Sequence, residues 1–287
     1  MDVLNLTEDA LEAKCVEWRR WFHEHPEVST EEKKTSEKIF TILKDLGLDP
    51  VRGTDHYGVA ATLKGGKPGP MVALRADIDA LSVKEATGLP YASQNPGVMH
   101  ACGHDIHITT LLETILRLLR RKEEIQGSVR ILFQPSEELS PTGGARYMMK
   151  DGFLQDVKAI FGLHVWPSFV CGKIGVKAGA MMAGSDRIKV VIKGKTAHAG
   201  HPQEGIDAIM AAADFLQQIS HIVSRRVSPL ATATINIGTI RGGSRYNVVP
   251  DEVTLEGTIR TLDEENRKRI PEFIQDILDG LKKSAGV

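Results

Sequence analysis

The chain has 287 residues, of which 41% are hydrophobic, and a formal net charge of −1. This length can bury a sizeable core and favours two domains, while the balanced, intermixed charges exclude the basic field of a nucleic-acid-binding protein. No apolar stretch approaches the roughly 20 residues that a membrane-spanning helix needs, so we predict no membrane association.

The cysteines and the N-terminus bear on the cellular compartment. Cys15, Cys102 and Cys171 are odd in number and widely spaced, which argues against a disulfide framework. The N-terminal residues lack the basic and apolar regions of a signal peptide. We therefore expect a reduced, cytoplasmic protein.

The first half of the chain alternates predicted helices and strands. Apolar residues every three to four positions predict a helix over residues 8–22, and Ser29 with Glu32 matches a capping box that opens a second helix ending at Gly47. Further elements follow in this order: strands over 59–63 and 71–74, a helix over 106–121, a strand over 129–133, a helix over 144–150, and strands over 159–163 and 172–176. This alternation predicts an α/β domain with a largely parallel sheet covered on both faces.

The pattern changes near residues 178–184, which are rich in Gly, Ala and Met. Beyond them we predict a strand over 186–192, a helix over 206–223, strands over 232–240 and 252–260, and a helix that Asp263 caps and that ends at residue 281. This β-α-β-β-α order is one strand short of the split-βαβ, ferredoxin-like sandwich. The sequence therefore predicts two domains, over 1–183 and 184–287, and a chain that is cut short at its C-terminus.

Four polar clusters accompany these elements, over residues 75–79, 100–105, 134–138 and 162–164. Three follow predicted strands directly, and the second opens a helix. Because ligands in open α/β sheets bind beyond the carboxyl ends of the strands, the clusters can converge in space. A thiolate, imidazoles and carboxylates suit a transition metal such as zinc, with one carboxylate left for proton transfer. We predict a hydrolytic metal site.

The second cluster carries the strongest signal for a metal. Three histidines, one cysteine and one aspartate lie within residues 100–107, at the start of a helix. Cys102 and His104 are two apart, which suits a loop that turns both side chains onto one ion. We expect Cys102 to bind as a thiolate whose pKa is lowered by the metal and the helix end. The alternative is a small buried hydrophobe with locally hydrogen-bonded histidines.

The remaining candidates have a role in a metal site only if they lie close to that cluster. Neighbouring Glu137 and Glu138 point in different directions, so one can bind the ion while the other moves a proton; the alternative is a solvated acidic turn. His164 lies in an apolar strand, where a hydrogen-bonded core histidine is the ordinary explanation. Asp77 and Asp79 lie on one face of the chain and could be metal ligands or, as we expect, acceptors of hydrogen bonds from ligand imidazoles; the alternative is a salt bridge with Arg75.

The clusters together carry a resemblance to a known family. Residues 73–81, 99–105 and 133–138, with 194–200 and 247–251 in the second domain, are similar to motifs of the aminoacylase/carboxypeptidase superfamily of metal-dependent amidohydrolases. The similarity is greatest to the branch of hippurate hydrolase, indole-acetyl-amino-acid hydrolase, N-acetyl-diaminopimelate deacetylase and thermophilic carboxypeptidases. It covers nearly the whole chain, and the motifs are specific when they occur together in this order.

The resemblance implies a catalytic α/β domain that binds one or two divalent ions, and an inserted lid that forms a homodimer. Carried over residue by residue, it makes Cys102, His104, Glu138 and His164 metal ligands, Glu137 the general base, His198 an oxyanion-stabilising residue of the neighbouring subunit's site, and Asn247 and Arg260 contacts of the substrate carboxylate. It also implies a further histidine ligand near the C-terminus, whereas no histidine follows His221. The thiolate favours zinc, with manganese, cobalt or nickel as alternatives.

The predicted reaction is hydrolysis of the amide bond of N-acyl amino acids or short peptides, with metal-bound water as nucleophile and Glu137 as general base. The absent C-terminal histidine favours an alternative, a non-catalytic truncated homologue that binds a ligand or partner through a dimerising lid. A zinc deaminase is excluded because its H-x-E and P-C-x-x-C motifs are absent.

Overall fold

The structure is a computed structural model that describes residues 6–139 and 142–287. Its contacts divide the chain into two compact units, Met1–Cys171 and Gly172–Val287. Residues 1–5, which belong to the N-terminal stretch predicted not to be a signal peptide, and residues 140–141 lie outside the described part. Within that part, no helix has both the length and the apolar character to cross a membrane. The domain boundary after residue 183 stays a prediction.

The first unit contains four α-helices and five strands among its described residues. They are α1 (Glu8–Glu24), α2 (Lys33–Asp45), β1 (Val51–Arg52), β2 (Val59–Lys64), β3 (Lys67–Asp77), α3 (His104–Arg120), β4 (Gln126–Gln134), α4 (Gly144–Lys150) and β5 (Val157–Gly162). The periodic apolar residues predicted these helices because their spacing places one stripe of side chains against the sheet. In α1 that stripe is buried at Leu11, Cys15, Trp18 and Phe22.

The sheet has the strand order β1-β2-β4-β3-β5 and is mixed. β3 runs parallel to β4 and β5, but β2 runs antiparallel to both β1 and β4. The prediction of a largely parallel sheet is therefore correct only for β4, β3 and β5. The tight reversal between β2 and β3 is the reason, since it makes these two strands run in opposite directions. A Cβ at Gly65 in this reversal would lie 2.3 Å from the carbonyl oxygen of Ile125.

The main core of this unit lies between the sheet and α1, α2 and α3. Fully buried Phe22, Leu43 and Ile115, one from each helix, share this core with Phe133 of β4. A smaller cluster with Met148 and Phe153 lies on the opposite face. The start of α3 is thereby packed against the carboxyl ends of the parallel strands.

Two local predictions are wrong. Ser29 and Glu32 form no capping box; the first amides of α2 donate instead to the Glu27 carboxylate, from Lys34 (3.1 Å) and Thr35 (2.8 Å). Residues 172–176 form no strand, and Ile174 within them is 90% exposed because no described strand pairs with this segment. A nearby carboxylate in the first place, and in the second the lack of a pairing strand among the described residues, outweighed the local pattern.

The second unit contains β6 (Gly184–Lys193), β7 (Ala197–His198), α5 (Ala208–His221), β8 (Ala233–Gly242), β9 (Val248–Val249), β10 (Glu252–Thr261) and α6 (Glu264–Ala285). β6, β10 and β8 form an antiparallel sheet in that order, and α5 and α6 pack against it through one apolar core. The predicted β-α-β-β-α order is observed, with β7 and β9 as an extra short pair. Asp263 caps α6 as predicted, with the Asn266 amide donating at 2.7 Å.

Candidate metal centre

The four polar clusters lie together at one edge of the first unit's sheet. β3, β4 and β5 end at Asp77, Gln134 and Gly162, and parallel neighbours end at the same edge. Among the described residues, potential ligand atoms form three groups, each within 4.8 Å: Cys102, His104 and His164; Asp77, His104 and His107; His104, Glu137 and Glu138. His104 belongs to all three groups and is therefore the centre of the site.

His104 has the environment of a metal-binding imidazole. Its Nδ1 lies 2.8 Å from the carbonyl oxygen of Asp79, and since a carbonyl only accepts, Nδ1 carries the proton. Nε2 then keeps its lone pair, is fully buried, and has no hydrogen-bond partner among the described residues. A buried nitrogen of this kind needs a partner, and a cation supplies one.

Cys102 and His164 lie beside His104. The Cys102 sulfur lies 3.3 Å from Nε2 of His164, whose Nδ1 lies 2.6 Å from the carbonyl oxygen of Val165. Gly103 makes this turn possible with a φ of +83°, and a Cβ there would lie 2.5 Å from Cγ2 of Val165. The glycine thus allows Cys102 and His104 to face one point from a single turn.

The Cys102 thiol lies in surroundings that oppose its ionisation. Burial, followed by the hydrogen bond and negative charge of Glu138, raises its pKa to about 12, so the helix end alone does not lower it. The thiol is therefore protonated at neutral pH until a cation replaces the proton. Sulfur, imidazole nitrogen and carboxylate oxygen around a buried nitrogen that has no partner among the described residues fit a divalent metal ion.

Glu137 and Glu138 differ in their surroundings. The Glu138 amide donates to Oδ2 of Asp79 at 2.9 Å, and its carboxylate lies 3.8 Å from Nε2 of His104. Glu137 is exposed, yet partial desolvation and the adjacent charge of Glu138 raise the pKa of its carboxyl. A carboxylate with a raised pKa at the mouth of such a site is suited to accept and return a proton.

Asp77 and Asp79 support the imidazoles. Oδ1 of Asp77 lies 2.5 Å from Nδ1 of His107, and its Oδ2 accepts from Arg75 at 2.7 Å, so the alternative salt bridge is also present. Burial alone would raise the pKa of Asp77, but the His107 hydrogen bond and the Arg75 charge hold it well below its usual range. Asp79 instead acts through its backbone carbonyl on His104.

His107 is a residue of the site that the sequence analysis did not single out. Its Nδ1 donates to Asp77, and its Nε2 accepts from the Val165 amide at 3.0 Å. Both ring nitrogens are therefore occupied, and His107 ties α3 to the segment that carries His164. Its position three residues after His104, on the same face of α3, was the available signal.

A second buried cluster lies behind the start of α3. Nδ1 of His23 lies 2.8 Å from Oδ2 of Asp105, its Nε2 lies 3.3 Å from Oε1 of Glu85, and Arg19 also contacts Asp105 at 2.9 Å. Asp105 directly follows His104. The hydrogen bond with Asp105 is the largest cause of a raised His23 pKa. The two carboxylates thus favour the protonated form of this histidine.

We expect His23 to make stability depend on pH. Because its folded-state pKa is raised, its contribution is fully present below the unfolded value of about 6.5 and is lost as pH rises through the folded pKa. His23→Gln should lower the free energy of unfolding at pH 5 to 6 and flatten its decline at higher pH. The measurement is urea unfolding of metal-free protein from pH 5 upwards through the folded-state pKa. The exposed His201→Gln is the control, and an unchanged wild-type slope in His23→Gln would contradict the assignment.

The other predicted site residues belong to the second unit. His198 is exposed in β7, where its Nδ1 accepts from the Gly200 amide at 3.0 Å. Asn247 lies beside it, because its carbonyl accepts from Ala199 at 3.2 Å, and its own Oδ1 is buried without a partner among the described residues. Arg260 is exposed in β10. The roles of these three residues stay predictions.

Comparison with known proteins identifies the class. The profile of Peptidase family M20/M25/M40 matches residues 73–268, so the chain belongs to this family. It is 41% identical to N-acetylcysteine deacetylase of Bacillus subtilis, over 98% of this chain and 74% of that protein. It is 40% identical to N-acyl-L-amino acid amidohydrolase of Geobacillus stearothermophilus, over 97% of this chain and 75% of that protein. The resemblance to metal-dependent amidohydrolases drawn from the motifs is confirmed.

A solved structure supports the same class. A dinuclear metal-binding peptidase of the M20 family from Bacillus subtilis superposes with a TM-score of 0.83 at 38% identity, covering 97% of this chain and 72% of that one. The chain thus has the fold of this group and spans about three quarters of the length of these relatives.

Proposed function

We propose that this chain hydrolyses the amide bond of N-acyl amino acids or short peptides with the help of a divalent metal. The observation that carries the proposal is the buried Nε2 of His104, which has no hydrogen-bond partner in the part of the chain that the structure describes and lies close to Cys102, His164 and two carboxylates. The relatives named for deacetylation and for N-acyl amino acid hydrolysis support this substrate class.

Cys102, His104, Glu138 and His164 would hold the metal. The thiol among these ligands favours zinc over magnesium or calcium, and manganese, cobalt and nickel are the alternatives. The groups that His104 forms with Cys102 and His164 and with Glu137 and Glu138, together with the dinuclear relative, support one or two ions. When bound, a divalent cation polarises the scissile carbonyl and lowers the pKa of a coordinated water.

The protein's own groups then move the proton. Glu137 takes a proton from the attacking water, and its raised pKa makes it able to return that proton to the leaving amine. Asp77 and Asp79 keep His107 and His104 in fixed tautomers, so neither ring turns away while the reaction proceeds. No covalent acyl-enzyme is required.

Metal removal tests the function directly. Protein freed of metal by a chelator should lose hydrolysis of a panel of N-acetyl and N-benzoyl amino acids, and zinc or manganese should restore it, because the proposed mechanism uses the cation to polarise the scissile carbonyl. Acetate or benzoate release is the measurement. Calcium is the control cation, since it prefers oxygen ligands. Metal binding without turnover of any substrate would favour the alternative, a non-catalytic module that binds ligands or partners.

The second unit would act as a lid inserted in the catalytic domain and as a homodimer interface. β8 is an edge strand of its sheet and could continue into that of a second copy. In such a dimer the exposed His198 would stabilise the oxyanion in the partner's site, with Asn247 and Arg260 binding the substrate carboxylate. The free cysteines agree with a cytoplasmic location.

Mixed dimers test the role of His198 in trans. His198→Ala and Glu137→Gln should each be inactive alone, whereas heterodimers of the two should recover part of the wild-type rate, because one site then combines an intact Glu137 with an intact His198. Activity of tagged, purified heterodimers is the measurement. Heterodimers of His198→Ala with wild type set the upper limit. No recovery in verified heterodimers would remove the trans role.

A further inference from the structure

The turn that carries the two adjacent carboxylates begins with a rare backbone conformation. Ser136 has a φ of +52°, in the left-handed region that residues other than glycine adopt only where their surroundings hold them. Ser136 directly precedes Glu137. Its backbone angle therefore sets the direction in which Glu137 and Glu138 leave the end of β4.

Every polar group of Ser136 is hydrogen-bonded. Its amide and its hydroxyl both donate to Oε1 of Glu32, at 2.6 and 3.0 Å. The hydroxyl oxygen accepts from the Thr30 amide at 2.9 Å, and the carbonyl accepts from the Gly144 amide at 3.0 Å. The unusual conformation is thus held from all sides, and Glu32 makes two of the four bonds.

Glu32 has no other evident task in the described structure. Its side chain is 0% exposed, it forms no ion pair there, and its Oε2 has no hydrogen-bond partner. Burial raises the pKa of this carboxyl. It is not needed to cap α2, because Glu27 performs that role. Burying a carboxyl group without a neighbouring cation costs free energy. The hydrogen bonds of Glu32 to Ser136 are the contribution that it makes to the structure.

The same segment also holds the far end of the turn. The Ser29 hydroxyl donates to Oδ2 of Asp79 at 2.7 Å, and that oxygen accepts from the Glu138 amide at 2.9 Å. Residues 29–32 therefore hold the turn at two points, directly at Ser136 and through Asp79 at Glu138. Between these two points lies Glu137, whose side chain is left exposed.

We propose that Glu32 is a positioning residue: its buried carboxyl group holds Ser136 in the left-handed conformation and thereby directs Glu137 and Glu138 towards His104. In the described structure the Glu32 carboxyl accepts its hydrogen bonds from Ser136, and it acts through that residue. The inference rests on the proposed function and adds a residue more than 100 positions away from the turn that it controls.

The test compares Glu32→Ala with Glu32→Gln and with Glu27→Ala as a matched control. Glu32→Ala should lower kcat at least tenfold with a smaller change in KM, because the turn relaxes and misdirects both carboxylates. Glu32→Gln should recover most of this loss, since its amide oxygen can accept both bonds from Ser136. Glu27→Ala, which removes the cap of α2 in the same segment, should lower Tm but keep kcat.

A cobalt titration gives a readout that does not depend on turnover. Cobalt-loaded Glu32→Ala should bind the ion several-fold more weakly and show shifted visible bands from the misplaced Glu138, while the sulfur-to-cobalt band of Cys102 persists. Glu27→Ala should give the wild-type spectrum. If Glu32→Ala folds and keeps the wild-type kcat and spectrum, or loses kcat only as much as Glu27→Ala, the proposal is overturned.

A second variant covers the case in which Glu32→Ala does not fold. Ser136→Ala removes the hydroxyl that joins Glu32 to Thr30 and leaves a space no larger than one oxygen. It should lower kcat several-fold and shift the cobalt spectrum at a nearly unchanged Tm; an unchanged kcat and spectrum overturn the proposal. If wild-type protein hydrolyses no N-acyl amino acid, the proposed function fails, yet the cobalt titrations still decide the role of Glu32.

Discussion

Glu137→Gln is expected to lower kcat by about 10²–10⁴-fold while the bound metal stays at the wild-type level. Glu137 is exposed and makes no hydrogen bond or ion pair within the described part of the chain, so the neutral isostere disturbs little besides proton transfer. The measurements are kcat for an N-acyl amino acid and metal content by elemental analysis. A near-normal kcat would remove Glu137 as the general base.

Glu138→Gln is the matched comparison, because it makes the same change one residue further on. Its carboxylate lies 3.8 Å from Nε2 of His104 and is only partly exposed. We expect this variant to lose metal as well as activity. Equal metal loss in both variants would contradict the assignment of metal binding to Glu138 and proton transfer to Glu137.

Cys102→Ser is expected to weaken zinc binding by roughly a hundredfold or more, beyond the 10–100-fold cost of losing an outer partner of a ligand. The same substitution should also change how zinc affinity depends on pH. Since the thiol pKa of about 12 lies far above neutral pH, each pH unit raises the thiolate fraction about tenfold. The logarithm of the zinc affinity should therefore rise more steeply with pH in the wild type than in Cys102→Ser. The difference in slope should correspond to one additional released proton.

Competition titrations with a chromogenic chelator between pH 6 and 9 measure both effects. Cys171→Ser is the control, because Cys171 is a free and exposed cysteine that lies outside the ligand groups. Its affinity and slope should match the wild type. Equal zinc content and equal pH slopes in Cys102→Ser would remove Cys102 from the ligand set.

The elements and the place of the site could be predicted from the sequence because both depend on local pattern. Apolar spacing marked the helices and most strands, and polar clusters directly after strands marked an edge where parallel strands end together. Residues 172–176 show the limit of that reasoning. Their alternation resembles a strand, but a strand needs a neighbour, and no described strand pairs with them.

The sequence by itself determined the donor types available to the site and the order in which the chain presents them. Only the tertiary structure decided what each donor does. The Asp79 carbonyl selects the tautomer of His104, Val165 occupies the second nitrogen of His107, and Glu138 with burial raises the thiol pKa of Cys102. Glu32, which local pattern assigned to a helix cap, bonds to Ser136 instead. These roles arise from partners distant in the chain, whose hydrogen bonds and charges act only once folding has brought them within a few ångströms.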